Sequence, residues 1–160
     1  MRKRFVLFVV LAVMAIPATA FGAKPEVFGE GEFDESFTIP AGELCAFEID
    51  GHVTGRFQDK GYFNKDGSLN RVHQKTRATT YLTGPGGTAV NRWATNGVFD
   101  EEAWTFTKTG NDFNVHAGSG GVLVNDSGKI VIDVTGEVLR INGPHEAFFG
   151  EYDALCEAIG

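Results

Sequence analysis

Between Ala46 and Phe57 the chain alternates. Its odd positions are Phe47, Ile49, Gly51, Val53, Gly55 and Phe57; its even positions are Glu48, Asp50, His52, Thr54 and Arg56. A period of two with one apolar or small face marks a half-buried β-strand. Antiparallel pairing passes this parity across each turn, so it can be followed along the chain. With Phe63 opposite Ser68 around Asn64-Lys65-Asp66-Gly67, Val53 faces Ala78 and Ile49 faces Leu82. The inner face of the next strand is then Val72, Gln74, Thr76, Ala78, Thr80 and Leu82. The turn Gly84-Pro85-Gly86-Gly87 sets Leu82 opposite Ala89 and Ala78 opposite Trp93. A tight turn at Asp100 to Ala103 pairs Phe99 with Trp104, and a turn at Gly110-Asn111 brings in Phe113, Val115 and Ala117. Gly118 to Gly121 reads as a bulge before Leu123. Asn125-Asp126-Ser127-Gly128 reads as a turn into Ile130, Ile132 and Val134, and Thr135-Gly136 leads to Leu139 and Ile141.

Seven strands thus share one inner face, and an eighth, Phe33 to Ile39, precedes them. The pattern predicts an all-β domain. The expected architecture is a single small antiparallel up-and-down β-barrel of about eight strands, since closure removes exposed edges. A two-sheet β-sandwich is the alternative. The tail Tyr152 to Ile159 predicts a short C-terminal helix with Leu155 and Ile159 on one face.

The first twenty residues break the pattern. Arg2, Lys3 and Arg4 precede the unbroken apolar run Phe5 to Ile16, and Ala18-Thr19-Ala20 supplies small residues at the −3 and −1 positions. This is the layout of a secretory signal peptide cut at the Ala20–Phe21 bond. The run is shorter than the ~20 apolar residues a spanning helix needs. Residues 1–20 are therefore expected to be removed, leaving 21–160 as one extracellular domain without membrane insertion.

Cleavage changes the charge. Three of the 14 basic residues leave and all 21 acids stay, so −7 becomes −10. An acidic domain repels phosphate backbones and anionic membrane surfaces, so nucleic acid is not an expected partner. Cys45 and Cys156 are the two cysteines. In an oxidising compartment an isolated pair is expected to form a disulfide.

Candidate chemistry is sparse. Parity places His52, His73 and His116 on the outer, polar face. No His-x-His or His-Glu-x-x-His spacing occurs, so no metal is expected, and no motif points to a cofactor. The Asx-rich runs fall where hairpin turns are needed rather than forming calcium loops. His145-Glu146, after Gly143-Pro144 at the barrel rim, reads either as an acid–base pair or as a turn. The inner face combines Phe47, Phe57, Trp93, Phe99, Trp104, Phe106 and Phe113 with small residues and a few polar ones. A barrel of eight strands either fills such a face or holds one small ligand. In the second case Gln74, Asn91, Trp93 and Trp104 are the ligand-binding candidates, the two amides because a buried amide needs a partner. The leading expectation is a non-catalytic module for a small apolar or amphipathic ligand. The alternatives are a rim isomerase or hydrolase using His145 and Glu146, and an extracellular surface-interaction protein using the acidic exterior and Glu26 to Glu35.

Several segments carry a resemblance: Cys45-Ala46-Phe47-Glu48-Ile49, Leu82-Thr83-Gly84-Pro85, Asp126-Ser127-Gly128-Lys129-Ile130, Gly143-Pro144-His145-Glu146 and Leu155-Cys156. In these the chain resembles a group of small secreted actinobacterial proteins of uncharacterised function. The resemblance implies secretion, a β-rich fold and the terminal cysteine pair, and implies no activity.

Overall fold

The computed structural model describes residues 25–118 and 121–160; the expected signal peptide, residues 1–20, lies outside the described residues. The described residues form seven antiparallel strands and one helix. They are β1 (Glu26–Ile39), β2 (Ile49–Phe63), β3 (Leu69–Gly84), β4 (Gly87–Asp100), β5 (Thr105–Ala117), β6 (Val122–Asp133), β7 (Val138–Asn142) and α1 (Asp153–Ile159). The strands lie in one sheet in sequence order. Among the described residues β1 pairs only with β2 and β7 only with β6, so the sheet is not closed and no second sheet is formed.

The β3–β4 register is the expected one, with Leu82 opposite Ala89 and Ala78 opposite Trp93. Two other hairpins slip by two residues, which preserves the face. In the β2–β3 turn Asp66 accepts hydrogen bonds from the Ser68 N–H (2.9 Å) and hydroxyl (2.7 Å). Ser68 thus belongs to the turn, Phe63 pairs with Leu69, and Val53 faces Thr80 instead of Ala78. In the β4–β5 turn the Asp100 carboxylate accepts the N–H of Glu102 (3.0 Å) and Ala103 (2.8 Å). The ladder resumes at Thr105, so Phe99 pairs with Phe106 rather than with Trp104.

Two expected turns are not turns. Gly110-Asn111 lies inside β5, and Asn125 to Gly128 lies inside β6. Gly110 (φ 127°) lets its backbone approach Thr95 Cα closely, and Gly128 (φ 138°) does the same against Gly143 Cα. A glycine in a strand often marks such a close approach or a bulge. β5, ending at Ala117, and β6, starting at Val122, pair antiparallel; residues 119–120 of the expected bulge lie outside the described residues. Three expected strands thereby become two, giving seven in place of eight. A register shift between Asn111 and Phe113 changes the inward parity of β5 from Phe106 and Lys108 to Phe113 and Val115. On β6 the inward residue is the buried Val124, with Leu123 only partly buried.

The first strand begins at Glu26, seven residues before the expected start. Its phenylalanines lie across glycines of β2. Phe37 covers Gly51, Phe33 covers Gly55 and Phe28 covers Gly61, while Phe57 of β2 covers Gly31 and Phe106 of β5 covers Gly97. The small inner residues therefore leave room for cross-strand rings, not for a cavity.

The core sits at one end of the inner face. Ile49, Leu82, Ala89, Val115 and Val124 pack there against Leu155 and Ile159 of α1. Both helical residues fall on the expected face. The Cys45–Cys156 disulfide (Cα–Cα 5.5 Å) ties α1 to the segment before β2, as expected. Among the described residues no helix is long and apolar enough to cross a membrane.

Candidate functional site

The four expected ligand contacts do not converge. Gln74 keeps its inward parity but is exposed, because the sheet does not close over it. Asn91 is buried, yet its amide serves the backbone. Its Oδ1 accepts the Asn114 N–H (2.7 Å) and its Nδ2 donates to the Asp112 carbonyl (3.4 Å). These bonds span the bulge, where the regular ladder between β4 and β5 is interrupted. The Trp93 indole donates to the Thr80 hydroxyl (3.1 Å). Trp104 stands in the β4–β5 turn, 58 % exposed and with φ 51°, its ring edge-on to Phe99.

His145 and Glu146 are brought to the sheet but not to each other. His145 is buried, and its Nδ1 meets the Asp126 carboxylate at 2.8 Å. Its Nε2 donates to the Asn142 carbonyl at 3.1 Å. Both ring nitrogens are thus engaged within the protein, one by a side chain and one by the backbone. The second Asp126 oxygen accepts the Phe148 N–H (2.9 Å). Glu146 accepts the Asn125 N–H (2.6 Å). Together these bonds clamp the 143–149 loop onto β6, so both residues act as fastenings.

The clamp borders a cleft on the inner face, about 390 Å³ in volume. Phe106, Phe113, Ile130, Ile132, Ala147 and Phe148 line it, with Lys108, Asp112 and Asp126 supplying polar groups. The two strands place these residues by register: Phe106 faces Ile132, Lys108 faces Ile130 and Phe113 faces Asp126. Lys108 forms an ion pair with Asp112, four residues on, which the bulge turns towards it. Burial lowers the Lys108 pKa, and the Asp126 carboxylate opposes that shift. The Tyr152 hydroxyl donates to the Ala147 carbonyl (2.7 Å), and its pKa is raised first by burial and then by the Asp126 charge.

Lys108, Asp112 and Asp126 were not among the sequence candidates. Lys108 shares parity with Phe106, so a charged residue on an inward position was a readable signal. Asp126 was hidden by the turn-like composition around it, and Asp112 faces the cleft only because of the bulge. Among the described residues no group of three or more His, Cys, Asp or Glu side chains gathers as metal ligands would. His52 lies on the outer face, bonded to Asp34 at 2.7 Å, and His73 lies there against Tyr62. No protein-family model, no curated protein and no solved structure matches the chain.

Proposed function

We propose that the protein is a secreted, non-catalytic binding module that holds a small amphipathic molecule in the cleft between β5, β6 and the 143–149 loop. The observation that carries this reading is the lining itself. A mostly apolar cleft with a few fixed polar groups at one side is the usual form of a small-molecule site. The apolar part of the ligand lies along Phe106, Phe113, Ile130 and Ile132. Its polar group meets Lys108, whose ammonium is held by Asp112 and supplies donors but no acceptor. An anionic head group suits that donor. Secretion is supported by the N-terminal pattern and by the disulfide, which persists in oxidising compartments. The expected barrel would require the free edges of β1 and β7 to meet. Hydrogen exchange tests for such closure, because it would protect the outward amides of both strands, whereas the open sheet leaves them fast.

The test of function is native mass spectrometry of protein purified from its host, joined to titration with dodecanoate. A retained small molecule, or dodecanoate uptake abolished by Ile130→Trp, supports the reading. Ile130→Trp fills the cleft without adding charge. A bare protein mass together with no dodecanoate uptake overturns it.

A further inference from the structure

The outer face of the sheet carries a different chemistry. On β2 the outward residues include Arg56 and Lys60; on β3 they include Arg71, Lys75 and Arg77; on β4 they include Arg92. Six of the ten lysines and arginines in the described residues thus share one face of three adjacent strands, in a chain whose net charge is −7. Arg56 and Arg77 are direct register partners. Side chains so placed have Cβ atoms about 5 Å apart, and like charges directly opposite destabilise the pair. Among the described residues none of the six lies within ion-pair distance of a carboxylate. The nearby acids are engaged elsewhere or stand apart. Asp34 is held by His52 (2.7 Å) and Glu30 by Gln58 (3.0 Å), while Glu32 faces Arg56 in register without pairing to it. Arg56, Arg77 and Arg92 border a trough of about 690 Å³, which Thr54, Thr79 and the carboxylates of Glu32 and Asp34 also line. The positive potential on this face is felt by His73, whose pKa is lowered by burial and then by Arg71 and Lys75.

We infer that the outer face of β2–β4 is a second binding site, which takes a ligand bearing a phosphate or sulfate group between Arg56, Arg77 and Arg92. The guanidinium fork matches such oxyanions bidentately, and unpaired arginines need no internal partner to be displaced. A bound oxyanion also neutralises the Arg56–Arg77 repulsion. The site stands on the face opposite the inner cleft and does not depend on it. The hydroxyls of Thr54 and Thr79 lie beside the arginines and add neutral donors, which suits an ester as well as a free ion. Two acids of the lining oppose binding from the β1 side: Glu32, which has no partner, and Asp34, which keeps its carboxylate beside His52.

The test is isothermal titration at 20 mM and 150 mM NaCl with three probes: inorganic phosphate, glucose 6-phosphate and heparin. Binding of at least one is expected, weaker at the higher salt. Phosphate binding points to a free ion, glucose 6-phosphate binding to a small ester, and heparin alone to a polymer-borne group. Arg77→Gln is expected to weaken binding about tenfold, the size of one charged hydrogen bond. Arg92→Gln does the same, and Glu32→Gln tightens binding. Lys129→Gln, on β6 away from the trough, leaves it unchanged. Arg77→Gln also removes a like-charge neighbour, so the free variant is expected to melt no lower than the parent. That separates lost binding from lost folding. No binding by any probe, or an equal loss in Lys129→Gln and Arg77→Gln, overturns the inference.

Discussion

His145 has the environment of a structural group. Its ring is buried, one nitrogen meets Asp126 and the other a backbone carbonyl. Removing one member of such a pair leaves the other buried without its partner, which costs about 3–5 kcal/mol. His145→Ala and Asp126→Asn are each expected to lose that much in urea unfolding. The double variant His145→Leu with Asp126→Leu is expected to lose less than the two single losses together, because neither side chain is left facing a vacated partner. Full additivity would show that the two side chains do not act as a pair. His73 gives a second test at this scale. Its folded pKa lies below the ordinary value of 6.5, through burial and the cations Arg71 and Lys75. A depressed histidine stabilises the fold above its unfolded pKa and loses that contribution as pH falls through the folded one. Melting temperature is therefore expected to fall below pH 6.5, and less so in His73→Gln. Tyr152 acts at the other end: a raised pKa means stability is lost as pH climbs past 10. His145 was visible in the sequence as a notable residue. Its partner was not, because Asp126 sits in a run that reads as a turn while the strand passes straight through it.

The elements were legible where turn chemistry and parity agreed. The β3–β4 hairpin came out in register because Gly84-Pro85-Gly86-Gly87 offers one compact turn. The β2–β3 and β4–β5 hairpins slipped because Asp66 and Asp100 each draw further residues into the turn through side-chain bonds. A two-residue slip keeps every side chain on its face, so the inner surface is unchanged. The glycine–phenylalanine pairing is a further device at this scale. A Cβ on Gly55 would lie 2.6 Å from Phe33 Cζ, Ala78 Cβ and the Arg77 carbonyl. The carbonyl is backbone and does not yield easily. Gly55→Ala is expected to destabilise the fold by about 1–3 kcal/mol, the usual cost of overpacking. Gly67→Ala is the reference for backbone strain alone, as nothing stands within 4 Å of its Cβ and its φ is 86°. A Gly55→Ala melt equal to the parent would mean that β1 does not seal this face.

At the scale of the whole molecule, the buried core is small and lies at one end, under a helix of seven residues. So short a helix has little stability alone and depends on what it packs against. The disulfide joins it to the start of β2 across 111 residues. In the chain-entropy model a loop of that length contributes about 4–5 kcal/mol before native strain. Reduction is expected to lower the urea midpoint strongly and to free α1 first, seen as rapid exchange of the amides of Leu155 to Ile159. Loss of α1 protection without any change in midpoint would mean that the helix does not seal the core. Charge is also arranged at this scale: acids dominate β1 while cations gather on the outward face of β2 to β4. The two edges of the sheet are unequal as well. β1 is long and rich in glutamate, which discourages edge pairing, whereas β7 is five residues long.

The sequence by itself determined the all-β class, the parity of most inward positions, the disulfide and the terminal helix. Each depends on local periodicity or on a residue count, and these need no knowledge of what lies across the sheet. Only the tertiary structure decided which glycines turn the chain and which admit a neighbouring backbone. The same Gly and Asn chemistry serves both, and the choice depends on the strand alongside. The bulge in β5 turned Asp112 towards Lys108 and moved the candidate site from the amides to the charged cleft. The gathering of arginines from three strands likewise exists only after pairing sets Arg56 beside Arg77.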